Sequence, residues 1–510
     1  MSATSLTRRL FLRLLGLVYL VAFASLALQI RGLVGEHGIL PAVRFLDWAH
    51  SIYGAGAYRL LPTIFWLDAN DTALVTLAWA GAALGFLLMF GVRPRLLLVL
   101  LWLLYLSLSV VGQDFLSFQW DALLLESGLL AILWAPRRLV RRVSDPPILL
   151  VPEPLGDPAS ASRPAFDDAR FLLVFLLFKL IFLSGITKIL SGDPTWRQGT
   201  ALDFHFETQP LPPWTAWYAH HWPAWTHHAL TWWTLAVELG APWLLLLPTR
   251  FQRIRLAGLL AIAMLQVGIA ATGNYGFFNL LTLALCLPAL SPAPRMYEDS
   301  EDAERDTGMT PRRWPLIRIA TPVLLGLSVL SLVREIAFTL PDGRGVGWWP
   351  AWGDRVMGWV EPFRSVNGYG LFRVMTTDRP ELVLEGSRDG TRWEPYGFRY
   401  KPGDVGRRPG FVAPFQPRLD WQLWFAALSP GQSLGWLQRL GEGLRAGTPE
   451  VLALLGHDPF PGKPPQYVRA VLYDYRFSTP EQRRRTGAWW VRTLEGTFVL
   501  APATADSSGT

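Results

Sequence analysis

Long apolar segments, separated by clusters of arginine, constrain this chain more than any other feature of its sequence. Several contain roughly the 20 residues that an α-helix needs to cross the core of a bilayer. Of the 510 residues, 51% are hydrophobic and only 17% are charged. We predict a polytopic α-helical membrane protein with eight or nine spans, of which the fourth and eighth are short. They lie at residues 10–30, 72–91, 96–111, 121–134, 170–190, 229–247, 256–271, 280–290 and 315–340.

The arginine clusters all fall on one side of the membrane if consecutive spans alternate in direction. They lie at residues 8–13, 93–95, 137–142, 250–255 and 295–313. Because basic loops stay in the cytoplasm, the N-terminus is predicted to be cytoplasmic. The same alternation makes residues 35–71, 112–120, 191–228, 272–279 and everything after about 341 exoplasmic. Arginines beside spans also account for the net charge of +7, so membrane lipid is the expected partner and nucleic acid is not.

The composition changes after the last span, which predicts a transmembrane domain at 1–340 and an exoplasmic β-rich domain at 341–500. We expect an α+β domain with a sandwich-like core, followed by a disordered tail at 501–510. Strand-forming residues occur at 369–376, 381–386, 396–400, 467–477 and 489–500, and helical segments at 419–428, 434–445 and 449–455. Arg388, Asp389 and Gly390 form a predicted hairpin turn. A Pro/Ser/Ala-rich segment at 146–164 reads as a mobile cytoplasmic linker.

Ionisable side chains inside spans are costly, so each one predicts a partner or a function. Lys179 lies in the middle of the fifth span, Glu238 in the middle of the sixth, and Glu126 in the outer half of the fourth. The simplest interpretation is a buried Lys179–Glu238 ion pair that fixes helix packing. Lys188 lies nine residues after Lys179, about 180° around the helix, so the two lysines are expected to face different neighbours.

Lys188 admits two interpretations at the outer end of the fifth span. Its ammonium group can reach the membrane interface along its apolar stem. Alternatively, it is a partly desolvated base or anion anchor beside Asp193, His205 and Glu207. These four residues are the catalytic candidates of the sequence.

The sequence lacks the common signatures of hydrolases, nucleotide-binding proteins and zinc enzymes. Its single cysteine, Cys286, lies in an apolar segment, which excludes an intrachain disulfide. His220, His221, His227 and His228 lie among tryptophans around Pro223, which disfavours one continuous helical face. They fit an interfacial aromatic belt better than a metal site, so we predict neither a metal nor a cofactor.

Several long motifs resemble those of the lipase maturation factor family, over residues 10–477. They are SGDPTW (191–196), HFETQPLP (205–212), TGNYGFFNLLT (272–282), VNGYGLFRVMTTDRPE (366–381), EGSRDGTRWEPYGFRYKPGD (385–404) and FVAPFQPRLDWQLWFAAL (411–428). Eukaryotic members of that family sit in the endoplasmic reticulum membrane and help secreted lipases to fold. The resemblance implies a membrane-anchored maturation factor whose exoplasmic surface binds an exported client such as a lipase. The client-facing candidates are Trp196, Gln209, Asn274, Tyr275, Arg418, Asp420, Trp421 and Trp424.

Two features qualify that resemblance. Only Lys179, Lys188, Lys401 and Lys463 are lysines, and this preference for arginine is typical of a GC-rich bacterial genome, which predicts an inner-membrane location. Phe415 stands where a histidine is expected, which argues against catalysis in that motif.

A shorter segment, residues 184–199, is similar to the outer-helix segment of vitamin K-dependent carboxylases. That similarity implies an enzyme alternative with Lys188 as the base. A structural module of an envelope complex is a second alternative. The sequence leaves the oligomeric state open.

Overall fold

A computed structural model describes residues 3–136, 164–290, 315–341 and 347–501. The predicted features at 137–142, 146–163, 295–313 and 502–510 lie outside these ranges. The N-terminal half contains the helices α1 (Ala3–Ala27), α2 (Ile30–Val34), α3 (Ala42–Tyr53), α4 (Ala57–Leu60), α5 (Asp71–Met89), α6 (Pro94–Val111), α7 (Gln119–Trp134), α8 (Pro164–Leu190), α9 (Pro194–Gln198), α10 (Ala201–Thr208), α11 (Trp214–His220), α12 (Ala224–Leu245), α13 (Gln252–Thr272), α14 (Phe278–Leu290) and α15 (Pro315–Thr339).

Six of the described helices are long and apolar enough to cross a membrane. They are Leu6–Ala27, Asp71–Met89, Pro94–Val111, Ala169–Leu190, Gln252–Thr272 and Ile319–Thr339. The multi-pass character is therefore confirmed. Helices α7, α12 and α14 lie at the three other predicted spans, but α7 has 16 residues and α14 has 13, and α12 is less apolar. Their crossing, and the direction of the chain through the membrane, stay predictions.

Small residues allow the first helices of this bundle to approach closely. A Cβ atom on Gly16 of α1 would meet the Gly85 carbonyl oxygen of α5 at 2.9 Å, and one on Gly85 would meet the Leu20 nitrogen at 2.7 Å. Backbone contact of this kind replaces the hydrophobic driving force that lipid does not supply between helices. The Asn70 side chain caps α5 by accepting the Ala73 N–H at 2.8 Å.

The C-terminal part contains one antiparallel sheet of four strands in the order β2-β1-β3-β4. The strands are β1 (Pro380–Ser387), β2 (Glu394–Pro395), β3 (Tyr467–Phe477) and β4 (Trp490–Ala501). The helices of this part are α16 (Ala351–Val360), α17 (Arg418–Leu428), α18 (Pro430–Ala446), α19 (Pro449–Leu452) and α20 (Pro480–Thr486). Over the described residues a single sheet with helices replaces the predicted sandwich.

Two predicted strands account for that difference. Residues 369–376 form no strand, because their backbone and side chains bind the membrane-domain helices instead of a neighbouring strand. Residues 396–400 contribute only an isolated bridge between Gly397 and His457, next to the two-residue β2. In contrast, Asp389 accepts the N–H groups of Thr391 and Arg392 at 2.8 Å, so the predicted turn is present.

The apolar core is continuous between the two parts of the chain. Leu419 and Leu423 of α17 belong to the same buried cluster as Leu123 of α7 and Leu285 of α14. Trp421 of α17 packs edge-on against Trp120, with ring centroids 4.7 Å apart. The C-terminal part is therefore packed on the membrane domain as one hydrophobic unit.

Candidate functional site

The motif-rich stretch that begins at Lys188 lies at the junction of the membrane domain and the C-terminal part. Lys188 donates to both carboxylate oxygens of Glu238 at 2.8 Å and to the Ser184 carbonyl at 3.0 Å. Its ammonium nitrogen lies 4.9 Å from the centre of the Trp196 ring. An ammonium group has three donors, and all three are engaged here by Glu238 and by the backbone of α8.

A close crossing of α8 and α12 makes the Lys188–Glu238 pair possible. A Cβ atom at Gly185 would meet the Glu238 Cβ at 2.8 Å. Any larger residue would push the two helices apart and lengthen the ion pair. Gly185 therefore positions the pair.

Lys179 has a different partner from the one that the sequence suggested. Its Nζ lies 2.6 Å from Glu126 of α7 and 3.3 Å from the Ser331 hydroxyl. The expected Lys179–Glu238 pair is therefore wrong, because Glu238 is bound by Lys188. The two lysines do face different helices, α7 and α12, as their separation of nine residues requires.

The second oxygen of Glu126 binds the segment that follows α16. It accepts the Tyr369 hydroxyl at 2.7 Å and the Asn367 backbone N–H at 3.2 Å. A carboxylate buried in the membrane domain thus receives a lysine, a phenol and an amide, which together compensate for its desolvation. This network attaches residues 367–369 to α7 and α8.

Asp193 also binds the C-terminal part. Its Oδ1 caps α9 by accepting the Thr195 N–H at 2.7 Å, and its Oδ2 accepts the Met375 N–H at 2.6 Å. Close by, the Trp196 indole donates to the Phe372 carbonyl at 2.9 Å. Both oxygens of Asp193 are therefore used as structural acceptors.

His205 lies in a buried chain of polar groups with Tyr275 and Gln209. The Tyr275 oxygen is 3.1 Å from His205 Nε2, and its hydroxyl donates to Gln209 Oε1 at 3.0 Å. His205 Nδ1 is buried without a hydrogen-bond partner among the described residues. Burial, together with the nearby charge of Lys188, lowers the pKa of His205 to about 4.

This low pKa predicts acid destabilisation. As the pH falls below about 6.5, the unfolded chain protonates this histidine, whereas the folded chain does so only near pH 4. Stability is therefore complete above pH 6.5 and lost between pH 6.5 and 4. We expect His205→Gln to reduce the loss of thermal stability between pH 7.5 and pH 5, measured on the full chain in detergent. Burial also lowers the pKa of His220 to about 4. His220 is therefore expected to cause the acid loss that remains in His205→Gln.

The exposed His50 supplies the control. His50→Gln should leave the pH dependence unchanged, because water reaches that side chain in both states. A His205→Gln variant with the same acid loss as the parent would contradict the assignment.

Arg379 holds the backbone of the HFETQPLP segment. Its guanidinium donates to the carbonyls of Glu207 at 2.7 Å and Pro210 at 3.0 Å, and also to that of Gln209. A fourth bond, at 2.6 Å, reaches the Glu381 carboxylate. Arg379 is fully buried, so one side chain of the C-terminal part satisfies three motif carbonyls within four residues.

The Glu207 side chain binds β3. Its Oε2 accepts the Phe477 N–H at 2.6 Å and lies 3.8 Å from His220 Nε2. Burial raises the pKa of the Glu207 carboxyl, and the Phe477 N–H, Arg476 and Arg379 oppose that rise.

Asn274 uses both ends of its amide between loops. Its nitrogen donates to the Leu211 and Gly410 carbonyls at 3.0 and 2.9 Å. Its oxygen accepts the Val412 and Ala413 N–H groups at 2.8 and 3.1 Å. All hydrogen-bonding groups of the amide are used, so Asn274 connects its own loop to Leu211 and to residues 410–413.

Arg418, at the start of α17, forms a bidentate ion pair with Asp121, at 2.8 Å for each bond. Tyr105 also donates to Asp121, and Arg418 donates to the Phe115 carbonyl at 2.8 Å.

Asp420 accepts the Tyr400 and Lys401 N–H groups at 3.1 and 2.9 Å. Burial raises the pKa of Asp420 in spite of these bonds.

All eight client-facing candidates lie inside the protein. The structure buries Trp196, Gln209, Asn274, Tyr275, Arg418, Asp420, Trp421 and Trp424. The Trp424 indole of α17 donates to the Thr208 carbonyl of α10 at 2.9 Å. A partner cannot reach these side chains in this arrangement, because they form the junction between the two parts of the chain.

The histidines near Pro223 are bound as structural contacts. His227 and His228 contact different oxygens of Asp203, at 3.0 and 3.2 Å, whereas His221 contacts the Trp217 carbonyl at 2.7 Å. No group of three metal-ligating side chains with suitable geometry occurs in the described ranges. Exposed Trp222 and Trp225 lie beside them.

Comparison with known proteins identifies the family to which the chain belongs. Residues 6–294 match the model of the lipase maturation factor transmembrane domain, and residues 365–500 match that of the lipase maturation factor C-terminal domain. The chain belongs to the lipase maturation factor family. The resemblance in its motifs is thus confirmed at family level.

Its similarity to individual family members covers nearly the whole chain. Human lipase maturation factor 2 is 36% identical over 96% of this chain and 82% of the human protein. Chicken lipase maturation factor 2 is 37% identical over 95% of this chain and 80% of its own. Mouse lipase maturation factor 1 is 33% identical over 97% and 86%. No solved structure matches the chain.

Sequence reasoning missed Arg379 and Asn367, which organise the junction. Arg379 is the one arginine in the TTDRPE motif, next to Pro380 and Glu381, and a lone arginine between turn and strand usually indicates a solvated charge. Asn367 was visible only as a turn residue. The available signal was the motif at 366–381, which contains both residues. Its sequence is too specific for an exposed loop.

Proposed function

We propose that this protein is a membrane-anchored maturation factor that assists the folding of exported proteins, lipases among them. Membership of the lipase maturation factor family is the observation that carries the proposal. The proposed location is a bacterial inner membrane, with the N-terminus in the cytoplasm and the C-terminal part on the exoplasmic side. The arginine distribution supports that orientation.

The outer edge of β4 is the proposed client-binding surface. β4 is the last strand in the sheet order, so no described strand pairs with its outer edge. Among the described backbone groups of β4, Trp490 at its start makes an outward bond, from its N–H to the Val405 carbonyl at 3.1 Å. Val491, Leu494, Phe498 and Val499 are all exposed along the strand, Leu494 by 61% and Val499 by 67%.

An exposed apolar edge strand is a template for pairing with another chain, and soluble domains normally protect it. A client that is still folding offers unpaired extended segments with apolar side chains. Such a segment would add to the sheet through backbone hydrogen bonds, with Leu494 and Val499 contacting its side chains. The mode tolerates different client sequences, since the bonds come from the backbone.

The test uses Val499→Lys and Leu494→Lys, which place a charge on the edge without touching the junction. We expect the yield of active exported lipase, measured per amount of lipase made, to fall about fivefold or more, as for the loss of roughly 1 kcal/mol or more of binding energy. Photocrosslinking from position 494 should capture the lipase chain.

Val374→Lys is the matched control, because Val374 is 60% exposed but belongs to none of the four strands. It should leave the lipase yield unchanged. Normal yields from both edge variants, at normal levels of the maturation factor, would refute the proposed surface. A normal lipase yield after deletion of the gene would refute the maturation role itself.

The carboxylase-like alternative rests on Lys188, and no observation in the described residues favours it. The ammonium of Lys188 is paired with Glu238, Asp193 and Glu207 are bound to the C-terminal part, and His205 Nε2 lies 3.1 Å from the Tyr275 oxygen. The four catalytic candidates are neighbours, but each acts as a structural contact.

A further inference from the structure

A cavity of about 540 Å³ lies where the ends of α6 and α15 and the start of α7 meet the segment that follows α16. Part of its wall is apolar and comes from Leu60, Val110, Leu116, Leu125 and Met357. The remainder is polar. The cavity borders the junction at Asp121 and Asn367, and no residue of β4 lines it.

Three of the five charged groups at the wall form ion pairs, each with a residue outside the wall. Asp121 is bound by Arg418 through two bonds of 2.8 Å. Arg334 lies 3.5 Å from Asp354, and Glu335 lies 3.3 Å from Arg373. The remaining carboxylate, Glu361, is exposed at the rim.

Arg364 is the one cation at the wall, among the described residues, that forms no ion pair. Its Nη1 donates to the Ser109 carbonyl at 2.7 Å and to the Leu116 carbonyl at 3.4 Å, and no carboxylate in the described residues forms an ion pair with it. The negative charge of Asp121 acts on Arg364 from a distance. Arg418 already binds both oxygens of that carboxylate and neutralises it. The Ser109 hydroxyl, buried at the same wall, has no hydrogen-bond partner among the described residues. A guanidinium without a counter-charge and a spare hydroxyl favour an anionic group between them.

The surroundings of the cavity fit the level of lipid headgroups. It lies at the ends of two helices that are long enough to cross a membrane, α6 and α15. Trp352 and Trp359 of α16 are exposed by 58% and 70%, and exposed tryptophans gather at the boundary between membrane and water. The helix that carries these tryptophans also contributes Met357 to the wall, so the cavity lies next to them.

We propose that this cavity binds the phosphate-bearing headgroup of an anionic membrane lipid, with Arg364 on the phosphate and the apolar wall against the first part of an acyl chain. The site is independent of the proposed client role. Its occupant ties α16 and the 361–368 segment to the membrane domain.

Gly358→Leu tests the site without removing a charge. Gly358 lines the cavity and is itself exposed, so it lies at the open side. A Cβ atom added there meets no other atom within 4 Å, so leucine narrows the entrance without a clash. Gly435→Leu on α18 is the matched control, since its Cβ also meets nothing. Arg364→Gln removes the charge and keeps much of the length.

The measurement is native mass spectrometry of the full chain after incubation in mixed micelles of phosphatidylcholine and phosphatidylglycerol. We expect the parent and Gly435→Leu to retain one phosphatidylglycerol, and Gly358→Leu and Arg364→Gln to bind it about tenfold more weakly, the equivalent of one lost charge-assisted contact. If Arg364→Gln does not fold, Gly358→Leu decides.

Three results would overturn the proposal. One is equal retention of phosphatidylcholine and phosphatidylglycerol by the parent, and another is unchanged retention by folded Gly358→Leu. The third is displacement of the lipid by inorganic phosphate alone, which would identify a site for a free anion instead.

Discussion

Arg379→Met is expected to lower the free energy of unfolding by about 3–5 kcal/mol, the usual cost of removing one partner from a buried charged network. The variant leaves the carbonyls of Glu207, Gln209 and Pro210 without their donor in the interior, and each orphaned buried acceptor adds to the loss. Glu381 keeps one partner, because Lys401 lies 2.9 Å from its other oxygen. Methionine preserves the apolar stem of the side chain, so the loss reports the guanidinium. Unfolding of the purified full chain in detergent measures the effect.

The effect should be local before it is global. Because Arg379 binds the carbonyls of Glu207, Gln209 and Pro210, hydrogen exchange at residues 205–212 is expected to accelerate in Arg379→Met under conditions where the rest of the chain is folded. Arg476→Met is the matched control. Arg476 is also on the C-terminal sheet, but it is 53% exposed and its ion pairs with Asp378 and Asp474 lie at the surface. Such pairs contribute at most about 1 kcal/mol, so equal destabilisation by the two variants would contradict the role of Arg379.

The regular elements were predictable from the sequence, because periodicity and turn chemistry are local. The bounds predicted for β3, 467–477, are those of the structure, and α17 begins one residue before the predicted helix. The two lysines of α8 were correctly expected to face different helices. Rotation by ~100° per residue is sufficient for that inference.

The partners of those lysines were not predictable, because helix order in a bundle is not a local property. Glu126 and Glu238 both lie at depths that Lys179 could match, and only the packing of α8 between α7 and α12 assigns Glu126 to Lys179 and Glu238 to Lys188.

The prediction that the motif side chains face a client was wrong for a related reason. Arg418, Trp421 and Trp424 have the composition of a binding hot spot, and such a hot spot has the same chemistry as a buried junction between domains. A sequence does not distinguish a surface that meets another protein from one that meets another part of the same chain. The predicted sandwich failed likewise, since residues 369–376 have the alternation of a strand but are bound by α7, α8 and α9.

The Arg418–Asp121 pair should show the strongest energetic coupling in the protein. Arg418→Met alone leaves the Asp121 carboxylate buried with only the Tyr105 hydroxyl, and Asp121→Leu alone leaves a buried guanidinium. Each single change is expected to cost about 3–5 kcal/mol, because an unpaired charge in the interior loses its hydration without compensation. Replacing both partners removes both charges, so the double variant should be less destabilised than the sum of the two and close to one single variant. A double-mutant cycle of unfolding in detergent measures the coupling.

Arg469 and Glu385 provide the matched pair for comparison. They also join two elements, β3 and β1, at 2.7 Å, but the Arg469 side chain is 29% exposed. Water remains near that pair when one partner is removed, so its coupling should stay below about 1 kcal/mol. Additive effects in the Arg418–Asp121 cycle would mean that the junction tolerates either charge alone. In that case the C-terminal part would be held on the membrane domain by its apolar contacts, chiefly Trp421 against Trp120, and α17 would dock by shape without needing the ion pair. Strong coupling would instead make Asp121 the residue that fixes where α17 docks, because a buried guanidinium has no other carboxylate to bind at that position.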